Sequence, residues 1–335
     1  MGAAATVIIS SGATAAQFLS LRILATAIII IVAGALMAKW EGGGQQNTLA
    51  RLNSQIFIPC LIFAAMNRTP LALSEALTMG VGALFFSLCS YPLAHWWVAR
   101  GPEGDRNGFI SMMFGSTSTI LLPLAYLLFG SQGLAKAAFF HLVNLFLIYT
   151  WGRWRAGHPL QLTAFLKTPT LHAVLLALGL KLFELELPGQ LQDLLWLVEK
   201  GIGMMASGAL PILLISHGYA LYCLRSSGGT LWSGAALLRM LWLPLVAATL
   251  ILVLRALGLA PLDKGYDLMH YLDLHTTEAI LLLASALPCT ISAFWRPGDT
   301  PLSKRDSSLL LSSALLSIIA FALLVFIINR YIFNS

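Results

Sequence analysis

The chain has 335 residues, of which 58% are hydrophobic and only 10% charged, and its mean hydropathy is +0.81. Ordinary globular proteins carry about 25% charged residues, so this composition excludes a soluble domain and indicates a membrane protein with several spans. The net charge of +6 belongs to short connections between apolar runs, and no basic soluble face is left that could bind nucleic acid.

Long apolar runs predict membrane-spanning helices, because about 20 apolar residues cross the hydrocarbon and the runs lack the alternation of barrel strands. We predict ten spans with short connections, at residues 17–39, 48–66, 73–99, 106–129, 133–152, 168–186, 191–222, 231–257, 268–295 and 305–333. Five spans fall in residues 1–152 and five in residues 168–335, separated by a cytoplasmic linker at 153–167. No stretch outside the spans is long enough for a soluble domain, so function must lie within the bilayer.

The basic residues indicate the orientation of the spans. Most Lys and Arg residues lie in or beside alternate connections, among them Arg51, Arg100, Arg153, Lys167 and Arg225. Positively charged loops stay in the cytoplasm, so we expect both termini outside, in the cell (inner) membrane.

Three pairs of prolines in the apolar runs indicate a duplication. Pro59 and Pro92 are as far apart as Pro211 and Pro244, and Pro123 and Pro288 follow in the same order. A proline inside a helix costs about 3 kcal/mol, so the repeated pattern needs a structural reason. Because each half has five spans, the second copy must run upside down, which predicts two inverted five-helix repeats as in many secondary transporters.

The fourth and ninth spans are predicted to be broken and to cross. Hydroxyl residues precede Pro123, and a similar segment follows Pro288; the first set is Ser116, Thr117, Ser118 and Thr119, and the second is Cys289, Thr290 and Ser292. If each proline starts a second half-helix, the two N-terminal ends favour an anion, so these residues are our candidate substrate-binding set. The alternative is that the hydroxyls bond to carbonyls of the preceding turn and merely bend each helix.

Ionisable and amide side chains within spans are further candidates. Glu278 in the ninth span is a candidate for proton coupling; alternatively it lies near the outer mouth, solvated or paired with Arg255 or Lys264. His141 and Asn144 share one face of the fifth span. We expect Asn144 to bind substrate, and His141 either to carry a proton or to form a packing pair.

Two other polar side chains receive structural interpretations. His217 is expected to pack or to be solvated near an interface, and Arg239 to extend its side chain towards the cytoplasm. The chain has no Walker loop, metal-binding signature or hydrolase triad, so we expect neither an enzyme nor a bound metal or cofactor.

Four segments resemble the auxin efflux carrier family. Residues 52–63 (LNSQIFIPCLIF) resemble its second helix, and Phe114-Gly115 with 122–135 (LPLAYLLFGSQGLA) resembles its broken fourth helix and the following turn. Residues 211–221 (PILLISHGYAL) resemble the seventh helix, and 285–288 (SALP) the start of the ninth-helix crossover. The resemblance implies a scaffold of spans 1, 2, 6 and 7, a mobile transport part of spans 3–5 and 8–10, and a homodimer through helices 2 and 7.

The resemblance also implies export of a small organic anion, an auxin-like monocarboxylate or a dicarboxylate, by elevator-type alternating access. Two alternatives stay open on the same fold. One is a sodium-coupled anion symporter of the bile-acid class, and the other is a membrane receptor that binds ligand without moving it.

Overall fold

The computed structural model describes residues 2–69, 72–101, 107–157, 159–182, 189–256, 268–290 and 303–327. These ranges are largely helical, and we number their helices α1 to α11 in chain order. They are α1 (Gly2–Glu41), α2 (Gln46–Arg68), α3 (Leu73–Ala99), α4 (Asn107–Met113), α5 (Thr117–Arg155), α6 (Leu162–Leu166), α7 (Pro169–Leu182), α8 (Gly189–Ser226), α9 (Gly234–Ala256), α10 (Leu268–Ser285) and α11 (Lys304–Ile327).

Within the described ranges, seven helices are long and apolar enough to cross a membrane; they are α1, α2, α3, α5, α8, α9 and α11. Helices α7 and α10 contribute two shorter apolar segments, Pro169–Lys181 and Thr276–Ser285. The described chain is thus helical throughout its core, in agreement with the predicted all-α membrane protein.

Helix α5 consists of two helices joined at Gly130. This residue has φ 65° and ψ −152°, which interrupts the helical geometry. Only glycine takes such positive φ values at little cost, because it has no Cβ. The break falls between the predicted fourth and fifth spans, so it separates the segment that starts at Thr117 from the segment that carries His141 and Asn144.

Two of the paired prolines follow a widened turn of helix. A π-helical turn over Asn53–Phe57 ends two residues before Pro59, and another over Thr117–Leu121 ends two residues before Pro123. Proline lacks the N–H of the ordinary hydrogen bond and clashes with the preceding turn, and a widened turn relieves both problems. Three further prolines lie inside helices without such a turn: Pro92, Pro211 and Pro244.

Helix α4 ends within the predicted fourth span, and helix α10 ends within the predicted ninth span. Helix α4 ends at Met113 and α5 begins at Thr117, so Pro123 lies inside α5 and does not start a half-helix as predicted. Helix α10 ends at Ser285, and residues 286–290 are not helical. The rest of the predicted ninth span, residues 291–295 with Ser292, lies outside the described residues.

Helices α1 and α8 approach until their backbones touch. A Cβ added to Gly34 would lie 2.1 Å from the carbonyl oxygen of Ile215, and one added to Gly218 would lie 1.8 Å from that of Ile31. Without side chains at these two positions the helices pack tightly, which fixes the orientation of α8. His217, next to Gly218, is thereby held inside the protein and is 3% exposed.

Candidate functional site

The two helix breaks lie side by side and pair with each other. Gly115 and Cys289 form an antiparallel bridge. The Ser116 N–H donates to the Pro288 carbonyl at 2.8 Å, and the Thr290 N–H donates to the Phe114 carbonyl at 3.0 Å. Backbone groups freed by a break survive in a membrane only when protein or water satisfies them. Each break here supplies partners for the other.

Other residues fix this crossing from both sides. The Ser111 hydroxyl donates to the Thr290 carbonyl at 3.1 Å, and the Cys289 N–H donates to the Ser313 hydroxyl at 3.0 Å. Gly115 has no room for a side chain, because a Cβ there would lie 2.8 Å from Cβ of Leu287. The crossing is therefore closely packed, and its geometry depends on residues far apart in sequence.

Arg239 of α9 reaches the crossing and does not extend to the cytoplasm as predicted. Its side chain is buried, with Nε donating to the Met112 carbonyl at 3.0 Å and Nη1 donating to the Leu287 carbonyl at 2.6 Å. These carbonyls belong to the two different breaks. A buried guanidinium can hold both because its N–H groups diverge in a rigid fork.

The hydroxyl of Thr117 connects the crossing to the second part of α5. Its Oγ1 lies 2.7 Å from Nδ1 of His141 and accepts a hydrogen bond from the amide of Asn144 at 3.3 Å. All three side chains are buried. The predicted shared face of His141 and Asn144 is thus directed at the broken segment.

The hydroxyl of Thr119 makes the corresponding connection to α8. It lies 2.8 Å from the Ser116 hydroxyl and 3.1 Å from Nδ1 of His217. His217 therefore faces the start of α5. Of the two predicted alternatives, its burial agrees with packing inside the protein and contradicts solvation near an interface.

A cavity of about 90 Å³ lies between α2, α8 and the first turn of α5. Its lining is mostly small or polar and consists of Gln46, Ala50, Asn53, Ser54, Ile58, Ser118, Thr119, Ser216, His217 and Ala220. The first N–H groups of α5 have no acceptor within their own helix, so this helix end adds partial positive charge to the cavity wall.

Two amide side chains in this lining have unused hydrogen-bonding groups. Asn53 is 3% exposed, and neither its Oδ1 nor its Nδ2 has a partner; Gln46 is 6% exposed, and its Oε1 has none. An unsatisfied buried polar group costs about 1–3 kcal/mol, so such groups in a cavity wall point to a ligand. The hydroxyls of Ser118 and Thr119 in the lining can donate hydrogen bonds to a small guest.

The predicted site residues divide into three groups. Ser118 and Thr119 line the cavity. Ser116, Thr117 and Asn144 lie outside the lining: Ser116 contacts Thr119, and Asn144 contacts Thr117. A further set builds the crossing and does not line the cavity; it consists of Pro288, Cys289 and Thr290, with Pro123 buried in α5. The described chain thus brings two hydroxyls of the predicted fourth span to the cavity, and their binding of substrate stays a prediction.

Glu278 lies apart from the cavity lining. It is 4% exposed in α10, so the carboxylate is not solvated, while its position near the outer mouth and its pairing with Arg255 or Lys264 stay predictions. Lys264 lies outside the described residues.

Among the polar lining residues, the sequence analysis did not propose Gln46, Asn53, Ser54 or Ser216 for any role, and it gave His217 only a structural one. A signal was present in α2, because Gln46 and Asn53 are seven residues apart and therefore on one helix face. Polar side chains on one face of an apolar span are expensive and indicate a cavity or a partner.

Part of the chain matches a known protein family. Residues 20–159 match the family model described as membrane transport protein. No curated protein matches the chain. The matched segment contains α2, α3 and α4, the first break, and both parts of α5.

Proposed function

We propose that this chain, whose residues 20–159 match the membrane transport protein family of the auxin efflux carriers, is a secondary carrier that exports a small organic anion. The observation that carries the proposal is the cavity between α2, α8 and the start of α5, with the buried and unpartnered amide of Asn53 among its lining residues. A carrier needs groups that bind its cargo and release it, and unsatisfied polar groups at membrane depth meet that need.

The proposed architecture has ten spans in two inverted repeats of five. Helix α4 and the part of α5 before Gly130 would form the fourth span, the rest of α5 the fifth, α7 the sixth, and α10 the first half of the ninth. The antiparallel pairing of Gly115 and Cys289 supports this arrangement, because inverted copies bring equivalent breaks together head to head.

The proposed mechanism is of the elevator type. The cavity is lined on one side by α2 and α8, which belong to the proposed scaffold, and on the other by the start of α5, which belongs to the proposed transport part. A substrate held there would touch both parts, so a relative displacement of the two would carry it across the bilayer.

The proposed cargo is an auxin-like monocarboxylate or a dicarboxylate. The hydroxyls of Ser118 and Thr119 and the amide of Asn53 would donate to its carboxylate, next to the positive end of α5. The described lining offers no carboxylate that would repel such a guest. Glu278 and His141 stay candidates for proton coupling.

The experiment is transport by the purified chain in proteoliposomes. Radiolabelled indole-3-acetate and malate serve as probes in counterflow, which detects exchange without a driving ion. Wild type should move at least one probe, and Asn53→Ala should lower that exchange about tenfold or more, because one charged hydrogen bond is worth roughly 1.5–3 kcal/mol.

Two outcomes would contradict the carrier. Binding of a probe without exchange favours the receptor alternative, and exchange that requires sodium favours the bile-acid class. A separate measurement of mass in detergent tests the proposed homodimer through α2 and α8, and labelling of cysteines added at the termini of intact cells tests the proposed outside location.

A further inference from the structure

Arg239 carries a full charge at the crossing, and no carboxylate of the described residues forms an ion pair with it. The guanidinium is 1% exposed. In the described part of the chain, Lys136 forms an ion pair with Glu75, whereas Arg239 has no ion-pair partner within 4 Å. A charge without compensation is strongly disfavoured in such surroundings, so something else must balance Arg239.

The break in the fourth span supplies the first balancing group. In an uninterrupted helix the Met112 carbonyl would accept from the N–H four residues later, which is that of Ser116. The Ser116 N–H instead donates to the Pro288 carbonyl of the other break. The Met112 carbonyl is thereby released from the helical ladder, and Nε of Arg239 takes it at 3.0 Å.

The second break supplies a matching group. Helix α10 ends at Ser285, and the carbonyl of Leu287, just beyond that end, accepts from Nη1 of Arg239 at 2.6 Å. A helix C-terminus carries up to about half a negative charge. The two carbonyls therefore place partial negative charge against the guanidinium and offset part of its charge.

We propose that Arg239 is a tethered cation that holds the two helix ends together in place of a metal ion. Carbonyls and C-terminal helix ends at broken helices are the groups that coordinate coupling cations in secondary transporters. Here a side chain of the protein occupies that role permanently. This proposal rests on the proposed function. Because Arg239 takes the place of a coupling cation, transport of the organic anion requires no sodium or potassium.

The surroundings of the guanidinium support a permanent occupant. A neighbouring cavity of only about 10 Å³ is lined in part by Arg239, Asn144, Ser90 and Gly115. That is room for about one water molecule, so the guanidinium fills the space beside the two carbonyls. Arg239 is accordingly a positioning residue: it acts on the substrate through the crossing that it fixes.

The first test measures the thermal stability of the purified full chain in detergent. Wild type is compared in sodium, potassium and N-methylglucamine chloride at equal ionic strength, and its midpoint temperature should be the same in all three. Arg239→Ala should unfold at a lower temperature and regain about 3 °C or more when guanidinium chloride is added at low millimolar concentration. Guanidinium at this level is too dilute to denature.

Arg100→Ala is the matched control. Arg100 is exposed at the end of α3, where its guanidinium lies over the Trp96 ring. This variant should show no rise with guanidinium. Arg239→Lys keeps a charge but loses the fork, so it should fold with reduced stability and show a smaller rise than Arg239→Ala.

The results distinguish this inference from the proposed function. A sodium-induced rise in wild-type stability, or equal responses of Arg239→Ala and Arg100→Ala to guanidinium, would overturn the tethered cation whatever the transport assay gives. If Arg239→Ala does not fold, the wild-type cation series and Arg239→Lys decide alone. Exchange of indole-3-acetate or malate should proceed equally in sodium and N-methylglucamine, and absence of any exchange would instead count against the carrier.

Discussion

The hydroxyl of Thr119 lies 3.1 Å from Nδ1 of His217 and joins the first turn of α5 to α8. The two residues are far apart in sequence, and both line the cavity between α2, α8 and α5. In the proposed elevator they belong to different moving parts, so this contact must break when the transport part shifts. This hydrogen bond therefore fixes part of the cavity wall, and it would break during the proposed displacement of the transport part.

Replacement of Thr119 by valine should impair transport with little effect on folding. The shape is kept, but the contacts with Ser116 and His217 are lost, and so is one proposed donor to the substrate. We expect counterflow of indole-3-acetate or malate to fall about tenfold, as for loss of a hydrogen bond to a charged group. Thr249→Val is the control, because Thr249 is exposed on α9 and bonds only to its own helix. Equal exchange by both variants would remove Thr119 from the site.

Replacement of Asn53 by leucine should stabilise the protein while reducing transport. The amide has no partner in the described chain, so removing it relieves about 1–3 kcal/mol of desolvation. The midpoint temperature in detergent should rise as exchange of the probes falls. Such opposite effects are typical of residues kept for function at the expense of stability.

Asn67→Leu is the matched control for that experiment. Asn67 lies on the same helix, but its amide donates to Glu199 at 2.9 Å. Its replacement should lower the midpoint temperature, because a formed hydrogen bond is lost. A drop for Asn53→Leu as well would mean that Asn53 has a structural partner.

Gly218→Ala should destabilise the protein. The added methyl would meet the backbone of α1 at Ile31, which cannot move aside as a flexible side chain can. Overpacking of this kind costs about 1–3 kcal/mol. Gly208→Ala in the same helix has open space around its Cβ and should leave the midpoint temperature unchanged or slightly higher. Similar midpoints for the two variants would show that α1 and α8 are not in such close contact.

Replacement of Pro123 or Pro288 by alanine should reduce transport more than expression. Alanine at position 123 supplies the N–H that proline lacks, so the widened turn over Thr117–Leu121 can tighten and displace Ser118 and Thr119 from the cavity. Alanine at 288 keeps the carbonyl that Ser116 uses but frees φ. Exchange rates are compared at equal protein content, and wild-type exchange by both variants would count against the crossing as part of the site.

Sequence reasoning found the broken segments but misjudged their details. Hydroxyl residues and prolines within apolar runs indicated where the helices stop, and Met113 and Ser285 are indeed the ends of α4 and α10. The start of the second half-helix was misplaced at Pro123, because a π-helical turn accommodates proline after the helix has already begun at Thr117. A local pattern does not distinguish these two solutions.

The amino-acid sequence by itself determined the membrane helices and the positions of the breaks, since hydropathy and missing backbone donors act within a few residues. Only the tertiary structure decided which distant groups meet: Arg239 at two carbonyls, His217 at Thr119, and Asn53 unpartnered at a cavity. The physical reason is that a polar group in an apolar span must find some partner, while its identity depends on how the helices pack. A lone arginine or asparagine in a hydrophobic run predicts the need for a partner and not the partner itself.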